Sequence, residues 1–147
     1  MKFLKFNSLK SSSLKGVFII VILALFASCA KKISFAGSSV VPAARGFVKV
    51  KKDNNSNYNI KVELNNLAEV NRLQPPRQTY VVWMETDQQT TKNIGQIHSS
   101  SNMLSKKLKA SLETVSSFKP IKIFITAEDE AAVQYPGSQL ILSTSSF

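Results

Sequence analysis

Catalysis and metal binding need particular side chains in sufficient number, and this chain is short of most of them. It holds one histidine, His98, and one cysteine, Cys29. A Ser/His/Asp relay would have to use His98, which stands at the polar end of "IGQIHSSS", where a surface or turn position is expected. A single cysteine excludes an intrachain disulfide and a cysteine-based metal site, and a single imidazole excludes a histidine-based zinc site. The five glycines stand far apart, so no phosphate-cradling loop is spelled out. What remains is the acidic run Glu128, Asp129 and Glu130, whose oxygens could serve Ca²⁺ or act as acid and base on a sugar. Adjacent acids alternate in direction, and the D-x-D-x-D-G spacing of a calcium loop is missing. The expectation is therefore a protein that is not an enzyme and has no cofactor. Calcium or glycan binding by the 128–130 loop is the alternative.

The surroundings of Cys29 are more specific. A basic polar stretch, "MKFLKFNSLKSSSLKG", precedes an apolar run of eleven residues, Val17 to Ala27. These are the n-region and h-region of a secretory signal. A membrane-spanning helix needs roughly 20 apolar residues, and this run gives way at once to Ser28, Cys29, Ala30, Lys31 and Lys32. Small residues before a cysteine, as in "LFASC", resemble the lipobox of bacterial lipoproteins, with Phe26 where the family more often has leucine. The resemblance implies cleavage of residues 1–28 and acylation of Cys29. It also implies a mature chain in the cell envelope, facing the periplasm or exterior and held to a membrane by lipid. Net charge is +10, but four lysines belong to the first fifteen residues. The scattered remainder suits a basic surface beside a membrane and gives no reason to expect a nucleic-acid partner.

These groups must be carried by a framework, and period-two alternation dominates beyond residue 45. "FVKVKK" and "YNIKVEL" flank "DNNSN" and read as a β-hairpin, with Tyr58, Ile60, Val62 and Leu64 on one face. "TYVVWME" reads as a strand buried on both faces, with Trp83 an anchor between sheets. "IGQIHSS", "IKIFITAE" and "QLILST" are further strands, and "TDQQTTKN" is turn material. Segment 103–117 fits both periodicities and is expected as a strand running into one or two helical turns. The sum is an all-β chain, an antiparallel β-sandwich of seven or eight strands over residues 45–147. Residues 29–44 are expected to be the lipidated amino terminus and a short tether.

Seven positions in this framework, Tyr80, Trp83, Gly95, Thr126, Glu128, Pro136 and Gly137, resemble in order and spacing the carboxy-terminal extracytoplasmic domain of RskA-type anti-sigma-K factors. The family shows a Tyr-x-x-Trp strand, a glycine in the next strand, a strand ending in Thr-x-Glu and a Pro-Gly turn. Its Gly-Gly after the glutamate is replaced here by "DEAAVQY", and no sigma-binding cytoplasmic region has a counterpart. The resemblance implies an extracytoplasmic sensing or interaction domain with an envelope protein partner, without sigma-factor binding. A purely structural envelope role is the other non-enzymatic reading. Glu128 and the Pro136-Gly137 pair are expected to organise a loop, the carboxylate accepting backbone N–H groups and the glycine taking a positive φ.

Overall fold

The computed structural model describes residues 30–98, 100–102 and 105–147. Cys29 and the expected signal segment lie outside the described residues. Among the described residues nine strands form where seven or eight are expected: β1 (Lys31–Ser34), β2 (Arg45–Lys52), β3 (Tyr58–Asn65), β4 (Thr79–Thr86), β5 (Thr91–Ile97), β6 (Ser100–Asn102), β7 (Ser105–Ser116), β8 (Pro120–Glu128) and β9 (Leu140–Ser143). The additional members are β1 and β6, short strands at the two edges of one sheet. That sheet runs β1-β2-β3-β7-β6 and the other β5-β4-β8-β9, with every pairing antiparallel. The chain is thus an all-β antiparallel sandwich.

Alternation builds the core as expected. Val48, Ile60, Val62 and Leu64 project from one sheet and Tyr80, Val82, Met84, Ile123 and Ile125 from the other into a single cluster. Strand β4 lies between β5 and β8, and Tyr80 to Met84 are all buried. Both of its faces are covered, which explains why its sequence shows an unbroken apolar run.

Three expectations change. Segment 105–116 contains no helical turn: β7 is one continuous strand, and Lys109 to Ser116 pair residue for residue with Asn65 to Tyr58. The leucine spacing fits a helix, but a free β3 edge satisfies more backbone groups and seats Ala110 and Leu112 against the core. The stretch after Cys29 is not a loose tether either. Strand β1 pairs Lys31 to Ser34 with Val50 to Phe47, and Ile33, Phe35, Val41 and Ala44 are buried. Finally, β5 begins at Thr91, so the turn ahead of it shrinks to the residues just after Thr86. There the Thr86 and Thr90 backbones pair, and Gln89 takes a φ of 57°.

Candidate functional site

Trp83 is fully buried, but not between the sheets. Tyr80, Val82 and Met84 face the shared core, so Val81 and Trp83 must face the other way. There they form a second cluster with Phe124 on the outer surface of the four-stranded sheet. The two rings lie 6.2 Å apart at 14°, stacked from neighbouring strands. Water is kept from them by the segment 129–139, which leaves β8 and folds back as a strap, setting Val133 against the cluster. This corrects the expectation of an inter-sheet anchor. The position is decided by which parity of a doubly covered strand meets the partner sheet.

A line of hydrogen bonds holds the strap in place. The Trp83 indole N–H donates to Thr126 Oγ1 at 2.7 Å, and that hydroxyl donates in turn to Glu128 Oε1. The same oxygen accepts the Gly137 backbone N–H at 2.7 Å. Every group in the line is a donor to the next or a carboxylate receiving two donors, so the buried polar atoms are satisfied. Glycine at 137 is explained by close approach: a Cβ there would meet Glu128 Oε2 at 2.6 Å. It is not explained by the expected positive φ, which among the described glycines belongs to Gly95 at 139°. Gly95 sits where the β4–β5 register shifts between Val82 and Trp83, and a Cβ would press on Leu112 Cδ1 at 3.1 Å.

Further pins come from residues that spacing does not single out. Asn93 Nδ2 donates to the carbonyls of Ala131 at 2.9 Å and Val133 at 3.1 Å. Arg77 pairs with Asp129 and donates from Nε to Gln139 Oε1 at 3.1 Å. These contacts join residues 38 to 62 positions apart. No local pattern in the sequence marks them.

The seven positions singled out by spacing thus divide in two. Trp83, Thr126, Glu128 and Gly137 meet in one network, with Pro136 adjacent and exposed in the strap. Tyr80 and Gly95 act elsewhere. Tyr80 lies in the core, its hydroxyl donates to the Ala68 carbonyl at 3.0 Å, and burial pushes its pKa up to about 12. His98 is exposed just beyond β5.

The three acids do not converge. Glu128 points inward to Thr126 and Gly137, Asp129 turns to Arg77, and Glu130 is exposed. Among the described residues no group of three His, Cys, Asp or Glu side chains is placed to hold a metal ion. Two of the three carboxylates are already committed to protein donors. What the strap offers outward is a backbone loop carrying Tyr135, which is 81% exposed. Searches of family models, curated proteins and solved structures find no match to this chain.

Proposed function

We propose that this chain is a bacterial envelope lipoprotein, acylated at Cys29 after removal of residues 1–28. Its β-sandwich is a non-enzymatic sensing or protein-interaction domain at a membrane surface, similar in kind to an anti-sigma factor outer domain. The observation that carries this reading is the junction itself. An eleven-residue apolar run ends at "ASC", and the first strand of the sandwich begins two residues later, at Lys31. A signal followed directly by a folded edge strand leaves Cys29 as a short link between bilayer and domain. Acyl chains contribute about 0.8 kcal/mol per buried CH₂, so two or more hold a protein at a bilayer nearly permanently.

The interaction role is supported by the strap, a segment fastened at several points yet displaying Tyr135 and Pro136 to solvent. The partner is expected to be an envelope protein. Mass spectrometry of the protein purified from bacterial membranes tests the anchor. The expected product begins at Cys29 and carries a diacylglyceryl mass on the cysteine. An unmodified Cys29, or retention of residues 1–28, overturns it.

A further inference from the structure

We infer that the outer face of the five-stranded sheet is a docking surface for anionic phospholipid, on which the domain lies flat. Because Val48, Ile60, Val62 and Ala110 face the core, their neighbours Lys49, Lys51, Lys61 and Lys109 face out, and burial of Ile33 turns Lys32 to the same side. Pairing then places three of them in one row across three strands. Lys32 stands opposite Lys49, and Lys49 opposite Lys61.

Like charges directly opposite each other destabilise a strand pair, so a row of this kind is a cost to folding. The face offsets it only in part. Glu63 lies 3.5 Å from Lys49 and 3.8 Å from Lys61, and Glu113 lies 3.7 Å from Lys61. Among the described residues those are the two acids of the face against five lysines. Phe47 lies beneath the ammonium groups of Lys32 at 4.0 Å and Lys49 at 5.1 Å, which holds both lysines over the sheet. The result is a broad cationic plane with an aromatic ring within it, the chemistry that meets phosphate headgroups at a membrane interface.

Position argues for a bilayer over a free polyanion. Strand β1 is the edge of this same sheet, and its first residue is two positions from Cys29. The inference rests on the lipoprotein reading for the nearness of the membrane. The opposite face is unlike it: there the strap covers the sheet, and Asp129 and Glu130 lie outward.

The test uses residues 30–147 without Cys29, since that segment supplies all nine strands and both clusters. Binding is measured by co-sedimentation with vesicles of phosphatidylcholine alone or mixed with phosphatidylglycerol. The expected result is binding to the mixed vesicles only, released by high salt because ions screen such contacts beyond about 10 Å at 0.1 M. The triple change Lys32→Gln, Lys49→Gln and Lys61→Gln should weaken it roughly a hundredfold, at about fivefold per lysine. Lys92→Gln, Lys119→Gln and Lys122→Gln remove the same charge elsewhere and should leave most of the binding. Should the first triple fail to fold, Lys51→Gln with Lys109→Gln on the same face should lower binding in the same direction. Equal binding to both vesicle types, no binding to either, equal loss from the two triples, or tighter binding to inorganic polyphosphate than to mixed vesicles would each overturn the inference. An unacylated Cys29 would overturn the anchor alone, because this measurement contains no lipid on the protein.

Discussion

Thr126→Val is the sharpest test of the strap network, because it removes one hydroxyl while keeping the shape of the side chain. In the native fold that hydroxyl accepts the Trp83 indole N–H at 2.7 Å and donates to Glu128 Oε1. Trp83 and Thr126 are buried, and Glu128 is only 7% exposed, so water cannot replace either bond without opening the strap. Leaving the indole donor unsatisfied costs about 1–3 kcal/mol, and removing a donor to a carboxylate costs about 1.5–3 kcal/mol. The two losses share one atom and do not add fully, so the expected destabilisation is about 2–5 kcal/mol. Against a total of roughly 5–15 kcal/mol for a domain, that is a large fraction.

Urea unfolding followed by Trp83 emission measures it, since Trp83 is the chain's one tryptophan. The midpoint should fall with the slope unchanged. Thr126→Ser keeps the hydroxyl and should lose only about 1 kcal/mol, the share of one methyl. In a Trp83→Phe background, where no indole donor is left to orphan and unfolding is followed by far-UV circular dichroism instead, the cost of Thr126→Val should shrink by about 1 kcal/mol. A loss under about 1 kcal/mol, or equal losses for the valine and serine variants, would refute the account of the network.

Other expectations follow from the same geometry. Gly137→Ala should drive the Glu128 carboxylate from the backbone N–H and loosen the strap, which a red shift of Trp83 emission would report in the still-folded protein. Gly95→Ala should cost about 1–3 kcal/mol by thermal melting, since φ is 139° and Leu112 leaves little room, whereas Gly37→Ala, with nothing within 4 Å, should be near neutral. The raised Tyr80 pKa sets an alkaline limit. A group whose folded pKa lies above its unfolded value of 10.0 contributes stability that is complete below pH 10 and is lost as pH rises through about 12. The loss is about 2–3 kcal/mol. Tyr80→Phe should flatten that limb in pH-dependent urea titrations, at a cost near neutrality of about 1 kcal/mol for the lost bond to Ala68.

Much of this fold is legible in the sequence because half-covered strands announce their period. The β2–β3 hairpin is the clearest case: Ile60, Val62 and Leu64 are buried while Lys61 and Glu63 are not. Legibility ends where one face no longer contrasts with the other. In "YVVWM" both faces are apolar, so the alternation cannot say that Trp83 meets a strap and Val82 the second sheet. In 105–116 the leucines satisfy two periods at once, and only pairing with β3 decides between them. The strap's fasteners, Arg77, Asn93 and Gln139, are ordinary polar residues made significant by contacts across the fold. The lysine row is intermediate. Alternation places Lys49 and Lys61 outward on their own strands, but the register that sets them opposite each other and beside Lys32 belongs to the assembled sheet.

The two surfaces take on a relation once the sandwich is considered as a whole. The cationic plane lies on the outside of one sheet and the strap on the outside of the other, so a core two side chains deep separates them. If the first rests on a bilayer, the second is turned away from it, and Tyr135 projects into the aqueous space where an envelope partner is found. The proposed lipid attachment at Cys29 would not impose this alone, because a link of one residue, Ala30, still allows the domain to swing about it. Five lysines spread over one plane restrict that swing, and they do so only while the membrane is anionic and the salt modest. On the proposed reading the anchor sets where the domain is, and the sheet sets which side it shows. A partner that binds the strap should therefore bind more tightly to the wild-type protein on anionic vesicles than on neutral ones. That difference should vanish with the Lys32, Lys49 and Lys61 triple change; if it persisted, the sheet would have no part in orienting the strap.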